Sequence, residues 1–285
     1  MKVKVRVAEY SGYCFGVKRA LKITEETIKK YRSRNRKIFT LGSIIHNPGV
    51  TRELSKKGLV SVKDIDEIGK KGIFIIRSHG MFPNLINEIK AKKDVEVIDT
   101  TCPIVKKAQA RARLLSKNGY FVVIIGNKNH PEVLGIKGYV LNEKFVVIED
   151  EEDVEKLPFK KKIGVVVQTT QTKEKLHIIN DRLLERTREL FINNTICDTT
   201  EKMQNSTAGM SKDVDIMLIV GGKNSANTKH LVEISRRFNS STHHIENFKE
   251  IRADWFMHKS TAGISGGAST PVKDIKDVKK AIEQL

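Results

Sequence analysis

The stretch Asp99-Thr100-Thr101-Cys102-Pro103-Ile104-Val105 places a cysteine at the mouth of a helix. Ile104, Ala108, Ala112 and Leu115 follow it at steps of three and four, the spacing of one helical face. The same arrangement recurs at Ser11-Gly12-Tyr13-Cys14-Phe15-Gly16-Val17, followed by Val17, Leu21, Thr24 and Ile28. It recurs more weakly at Asn194-Thr195-Ile196-Cys197-Asp198-Thr199-Thr200, followed by Met203, Thr207 and Met210. These are the three cysteines of a 285-residue chain, 88 and 95 residues apart. An odd count, one per third of the chain, does not suit a disulfide framework. Three thiols on three similar units suggest a shared central cofactor instead.

The segments beyond each helix repeat as well. Each helix gives way to an apolar strand ending in glycine, at Gly42, Gly126 and Gly221. Four residues past each glycine stands a polar side chain: His46, His130 or Ser225. A second apolar strand follows in each third and ends in a polar tip, at Arg77-Ser78-His79-Gly80, Gln168-Thr169-Thr170-Gln171 and Ser265-Gly266-Gly267-Ala268-Ser269. Strands alternating with helices argue for parallel α/β units, and such units bind ligands at the carboxyl ends of their strands. The expected fold is α/β, three similar units in a pseudo-threefold trefoil around a central cofactor site. The expected units are 1–101, 102–196 and 197–270. A C-terminal helix over 271–285 carries Ile275, Val278 and Ile282 on one face and Pro271 at its start, and is expected to pack back on the first unit.

The net charge of +18 admits a nucleic-acid surface, but the lysines are scattered rather than striped and aromatics make up only 6% of the residues. That leaves little to stack on bases, so nucleic acid is not an expected partner, although a basic surface also suits an acidic electron-transfer protein. With 39% hydrophobic residues the core is sizeable. No apolar run reaches membrane-span length and the N-terminal residues have no signal-type apolar segment, so a soluble cytoplasmic protein with reduced cysteines is expected.

Each candidate has an ordinary alternative. A lone cysteine is commonly a small buried hydrophobe. Here the three share a repeat position beside glycine, threonine or proline. Zinc takes three thiolates and a histidine, but its paired C-x₂₋₄-C knuckles are missing. Iron–sulfur clusters are also held by thiolates, and an iron without cysteine is open to substrate. His46, His79 and His130 stand on strand-end tips, whereas His177, His230 and His258 fall on helices or loops with ordinary structural roles. The pair His243–His244 suggests a metal site but lies away from the tips. Glu132 is the one carboxylate among the tip phrases and suits proton transfer. Thr169, Ser225, Asn227 and Ser269 offer neutral donors that, with helix N-termini and glycine amides, suit a phosphate or diphosphate.

In combination the three cysteine contexts, H-N-P, S-H-G, D-T-T-C-P, N-H-P-E-V, Q-T-T and N-S-A-N resemble the LytB (IspH) family of 4-hydroxy-3-methylbut-2-enyl diphosphate reductases, from G-Y-C-F-G-V-K-R-A to A-G-I-S-G-G-A-S-T-P. The resemblance implies one [4Fe–4S] cluster held by Cys14, Cys102 and Cys197 with one open iron. It implies a substrate pocket with His46, His79, His130, Gln168, Thr169, Ser225, Asn227 and Ser269, and proton delivery by Glu132 aided by Thr169. It also implies a reductive removal of an allylic hydroxyl, giving isopentenyl and dimethylallyl diphosphate, with a reduced ferredoxin- or flavodoxin-type donor. Ala226 departs from the pattern, standing where a serine often precedes the asparagine. Weaker or rearranged contacts to the diphosphate are expected there, with no change in reaction. A zinc hydrolase with a Cys₃ site and a basic nucleic-acid-binding α/β protein are the competing expectations.

Overall fold

The computed structural model describes residues 3–32, 36–69 and 71–285. In chain order they form β1 (Lys4–Val7), α1 (Phe15–Arg32), β2 (Ile38–Leu41), α2 (Pro48–Lys56), β3 (Leu59–Val62), β4 (Lys71–Ile76), α3 (Pro83–Ala91) and β5 (Asp94–Asp99). Next come α4 (Pro103–Lys117), β6 (Phe121–Ile125), α5 (Pro131–Lys137), β7 (Phe145–Ile148), α6 (Glu151–Glu155), β8 (Lys160–Val167), α7 (Lys173–Leu184) and β9 (Thr187–Ile192). The chain ends with α8 (Asp198–Lys212), β10 (Ile216–Val220), α9 (Ala226–Phe238), β11 (Thr242–Ile245), β12 (Thr261–Gly266) and α10 (Val272–Glu283).

The strands make three four-stranded parallel sheets, ordered β3-β2-β4-β5, β7-β6-β8-β9 and β1-β12-β10-β11. The first two share one plan: a leading strand, its outer neighbour, a return strand on the other side and a closing edge strand. The third repeats the plan with β10, β11 and β12, but its closing strand is β1, paired from Lys4↔Thr261 to Val7↔Ile264. The repeat is therefore circularly permuted. The segment before Cys14, expected in the first unit, lies in the sheet of residues 216–266. The physical reason is that the free edge of β12 carries N–H and C=O groups that need a partner, and β1 supplies them. Helix α10 packs on that same sheet. Its Ile275, Val278 and Ile282 share one core with Ile216, Leu218 and Ile264, with Val5 of β1 alongside.

The chain divides into two compact bodies. The first comprises Met1–Lys18, His46–Val50 and Asp198–Leu285, and the second Arg19–Ile45 and Thr51–Cys197. In the first body, alternate residues of β10 serve opposite faces. Ile216, Leu218 and Val220 meet α10, while Met217 and Ile219 pack with Met203, Leu231 and Val232 of α8 and α9. In the second body, Val123, Ile125, Val165 and Val167 face Leu176, Ile179 and Leu183 of α7. On the other face, Val122, Ile124 and Val166 meet Ala108, Ala112 and Leu115 of α4 and Val133 and Ile136 of α5. Both faces of these inner strands are covered, so they read as unbroken apolar runs. One expected contact is corrected. The inward row of α4 begins at Val105 (4% exposed), and Ile104, about 100° round the helix, faces solvent at 36%. Among the described residues no helix is long and apolar enough to cross a membrane.

Candidate active site

Every cysteine enters its body at the same point of the repeat. The N–H of Cys102 donates to the carbonyl of Ser78 at 2.9 Å, that of Cys197 to Thr169 at 2.9 Å, and that of Cys14 to Ala268 at 3.1 Å. In each case the acceptor lies just past the end of the return strand, at β4, β8 or β12. Two residues upstream the chain is pinned again. Thr100 N–H donates to Ile76 O at 3.1 Å and Gly12 N–H to Gly266 O at 3.1 Å, while the Thr195 hydroxyl bonds both the N–H and the carbonyl of Val167. The closing strand thus runs on past its sheet and delivers a cysteine to the first turn of α1, α4 or α8. All three are reduced, half-buried thiols.

In the second body the thiols of Cys102 and Cys197 and the carboxyl of Glu132 are electrostatic neighbours. Burial pushes the Cys102 thiol up. The N–H groups of Ile104 and Val105 at the helix start oppose this, and the charges of Cys197 and Glu132 add to it. Glu132, in the first turn of α5, is 1% exposed. Its Oε1 accepts the N–H of Thr169 at 2.7 Å and its Oε2 the hydroxyl of Thr169 at 2.8 Å. Loss of solvent outweighs these bonds and raises its pKa from near 4.5 to about 7. A carboxyl so placed changes protonation near neutral pH, as a proton donor requires. His130 caps the same helix. Its Nδ1 accepts the Glu132 N–H at 3.2 Å, so in the neutral ring the proton sits on Nε2. His79 meets His130 edge-on, with ring centroids 5.5 Å apart. The turn that presents His79 is tied to Ile44 O by Ser78, through both N–H and hydroxyl. It then passes through Gly80 at φ +76°, where a Cβ would stand 2.5 Å from Gln109 Nε2. Gln168 is fully buried and braces two loops, its Oε1 accepting from Asn127 N–H and its Nε2 donating to Thr170.

The first body gathers His46, Ser225, Asn227 and Ser269. Ser269 donates its hydroxyl to the His46 carbonyl at 3.0 Å, and that carbonyl lies 2.7 Å from where a Cβ of Gly222 would be. Ser225, whose N–H donates to Gly222 O, caps α9 and accepts the Thr228 N–H. Asn227 is 4% exposed, yet its Oδ1 and Nδ2 have no hydrogen-bond partner among the described residues. An amide left orphaned at a helix N-terminus, where N–H groups and the dipole favour negative charge, fits a bound anion. Ala226 is the first residue of that helix.

The histidine pair suspected of binding metal has other work. Neighbours on a strand point to opposite faces. His243 stacks on Trp255 at 3.8 Å and His244 Nε2 reaches Gly221 O at 2.9 Å. Sequence reasoning missed Thr100 and Thr195, although a threonine standing two places before both Cys102 and Cys197 was a signal that could have found them. It also missed Thr228, whose buried hydroxyl lies where a Cβ of Gly267 would be.

A model of the LytB protein family matches residues 5–283. A protein of Pelobacter propionicus named 4-hydroxy-3-methylbut-2-enyl diphosphate reductase is 44% identical over 283 residues, 99% of each chain. One of the same name from Aquifex aeolicus is 41% identical over 285 residues, 99% of this chain and 97% of its own. A solved structure described as (E)-4-hydroxy-3-methyl-but-2-enyl diphosphate reductase, the terminal enzyme of the non-mevalonate pathway, aligns with a TM-score of 0.73 and 40% identity, covering 99% of this chain and 100% of the other. The E-1-hydroxy-2-methyl-but-2-enyl-4-diphosphate reductase of Plasmodium falciparum aligns with a TM-score of 0.91 and 27% identity, covering 98% and 88%. With a family model spanning nearly its whole length and relatives above 40% identity end to end, this chain belongs to the LytB family.

Proposed function

We propose that this chain is a 4-hydroxy-3-methylbut-2-enyl diphosphate reductase, removing the allylic hydroxyl by two-electron reduction to give isopentenyl and dimethylallyl diphosphate. The observation that carries this reading is the common entry of Cys14, Cys102 and Cys197, each with its N–H on the carbonyl just past a return strand. Three reduced, half-buried thiols at helix starts are a donor set that fits an iron–sulfur cluster. A [4Fe–4S] cluster held by those residues would supply the electrons and an open, Lewis-acidic iron for the substrate's oxygen.

The protein's own groups then divide the remaining work. The substrate gains two electrons and two protons and releases water. Hydroxide is a poor leaving group, so a proton has to reach the departing oxygen. Glu132 holds that proton and passes it through, or beside, the Thr169 hydroxyl bonded to it. His46, His79, His130, Ser225, Asn227 and Ser269 bind the diphosphate. His130, whose Nδ1 accepts the Glu132 N–H, has Nε2–H as its donor, and the amide of Asn227 gains the partner it lacks. Binding energy at that non-reacting end orients the reacting carbon. Gln168 belongs to the pocket as the brace between its loops.

The test is anaerobic reconstitution with iron and sulfide, followed by turnover of 4-hydroxy-3-methylbut-2-enyl diphosphate with reduced methyl viologen. A brown protein that forms both C5 diphosphates is expected. A colourless protein that binds zinc, or a brown protein inert toward this substrate, would overturn the reading.

A further inference from the structure

Helix α4 presents to solvent a surface that its own packing does not explain. Val105, Ala108, Gln109, Ala112, Leu115 and Ser116 are buried. The outward arc carries Lys106, Lys107, Arg111, Arg113 and Lys117, and the helix contains no carboxylate. Lys106 pairs with Asp99 at 2.6 Å. Among the described residues Lys107, Arg111, Arg113 and Lys117 take part in no ion pair. Lys107–Arg111 and Arg113–Lys117 are like charges at i,i+4, a spacing that weakens a helix. Lys106 and Lys107 also crowd the positive end of the helix dipole. Apart from the Lys106–Asp99 pair and Lys117 in the last turn, the fold gains nothing from this arrangement, so the use of the remaining charges lies outside the fold.

The pattern is not only charge. Ile104, Lys107, Arg111 and Leu114 fall on one row at steps of three and four, and Ile104 and Leu114 are 36% and 45% exposed. Cations flanked by exposed aliphatic residues resemble the make-up of a protein interface more than a nucleic-acid groove, where aromatic side chains would stack on bases. On the opposite flank of the outward arc, where Lys106 and Arg113 stand, a cleft of about 320 Å³ opens between Met81, Ile86, Lys106, Arg113 and Tyr139. It joins the apolar Met81 and Ile86 to the donors of Arg113 and Tyr139, while Lys106 is paired with the carboxylate in its wall, Asp99. Such a cleft is a socket for an acidic side chain. The helix that carries both features starts at Cys102.

From these we infer that the outer face of α4 is the docking surface for an acidic one-electron carrier protein, which delivers electrons at the Cys102 end of the helix. The inference rests on the proposed reductase function. Each turnover then oxidises two reduced carriers by one electron apiece. Two protons enter, one leaving in water with the substrate's hydroxyl oxygen and the other ending on carbon. A basic face steers an acidic carrier and speeds encounter at low salt without needing a large interface, which suits a partner that binds and leaves twice per cycle.

The experiment compares two reductants on the reconstituted holoenzyme: reduced methyl viologen, too small to need a docking face, and a reduced [2Fe–2S] ferredoxin of net negative charge. The variant is Lys107→Glu/Arg111→Glu. Its control is Lys276→Glu/Lys280→Glu on α10, which changes net charge equally. The expected result is a ferredoxin kcat/KM lowered about 10-fold or more in the α4 variant, carried by KM, with a flatter salt dependence. The rate with methyl viologen should stay within about two-fold, and the α10 control should match wild type with both. Lys107→Gln/Arg111→Gln, which relieves the helix's own repulsion, should show a smaller loss confined to ferredoxin. Equal ferredoxin kinetics in the α4 variant and the control would overturn the docking site, as would an equal fall with both reductants. So would salt-dependent binding of poly(U) that is lost in the α4 variant while ferredoxin kinetics stay unchanged. Failure of wild type to turn over with methyl viologen would overturn the proposed function instead.

Discussion

Glu132 gives both of its carboxylate oxygens to one residue: Thr169 donates its N–H to Oε1 at 2.7 Å and its hydroxyl to Oε2 at 2.8 Å. This clamp ties the first turn of α5 to the tip of β8, and the carbonyl of Thr169 in turn accepts the N–H of Cys197. The acid and a cysteine proposed to hold the cluster thus share one anchoring residue. Glu132→Gln keeps the shape and removes the acid. Turnover should fall about 10²-fold or more, the scale of general acid catalysis, while iron content and substrate binding stay near wild type. Thr169→Ser should retain most activity and Thr169→Val should not. Single-turnover kinetics with reduced enzyme measure this, and near-normal rates in Glu132→Gln would remove the carboxyl from the mechanism.

The same carboxyl sets a pH dependence. Burial raises its pKa from near 4.5 to about 7 in the folded protein. Between those values the folded state binds more protons than the unfolded chain, so stability falls as pH rises and levels off above about pH 7. The shift corresponds to about 3 kcal/mol at most. Urea midpoints at pH 5 and pH 8 should differ by more in wild type than in Glu132→Gln. Turnover should also decline as pH rises through about 7, because the acid form is the proposed donor. A flat profile, or one that rises, would contradict the assignment.

Asn227 is a case where loss of a site residue should spare the free protein. Its two buried amide atoms lack partners among the described residues, and an unsatisfied buried group costs about 1–3 kcal/mol. Asn227→Ala should therefore leave the ligand-free melting temperature unchanged or higher, while weakening pyrophosphate binding about 10-fold. Calorimetry reads both quantities. A large drop in melting temperature would make Asn227 a structural residue.

Thr195 pins the approach to Cys197 by bonding both backbone groups of Val167. Thr195→Val leaves that pair unsatisfied in the core and should cost about 1–3 kcal/mol in denaturant unfolding. Cluster loading should weaken as well, whereas Thr187→Val, at an exposed bond on β9, should change neither.

Much of this was legible in the sequence, and what was not has physical causes. The inner strands β4, β6, β8 and β10 stand out because both of their faces are covered, which gives each an unbroken apolar run, whereas the equally buried β12 reads Thr-Ala-Gly-Ile-Ser-Gly. The closing edge strands β5 and β9 are half-exposed and studded with Asp, Glu, Thr and Arg, so they read as loop. The pairing of β1 with β12 joins Lys4 to Thr261, a partnership across nearly the whole chain that no local pattern announces. The tip residues stood out because chemistry-bearing types recurred four places past each strand-ending glycine, at His46, His130 and Ser225. The bracing by Gln168 and the stacking of His243 on Trp255 depend on where side chains turn once the strands are paired.

The most direct test is iron stoichiometry, with an electron paramagnetic resonance spectrum under nitrogen, on reconstituted wild type and on Cys14→Ser, Cys102→Ser and Cys197→Ser. One shared centre predicts about four irons per wild-type chain, with the loss or conversion of that same signal in all three variants. Full iron content and an unaltered spectrum in any one of them would contradict the account.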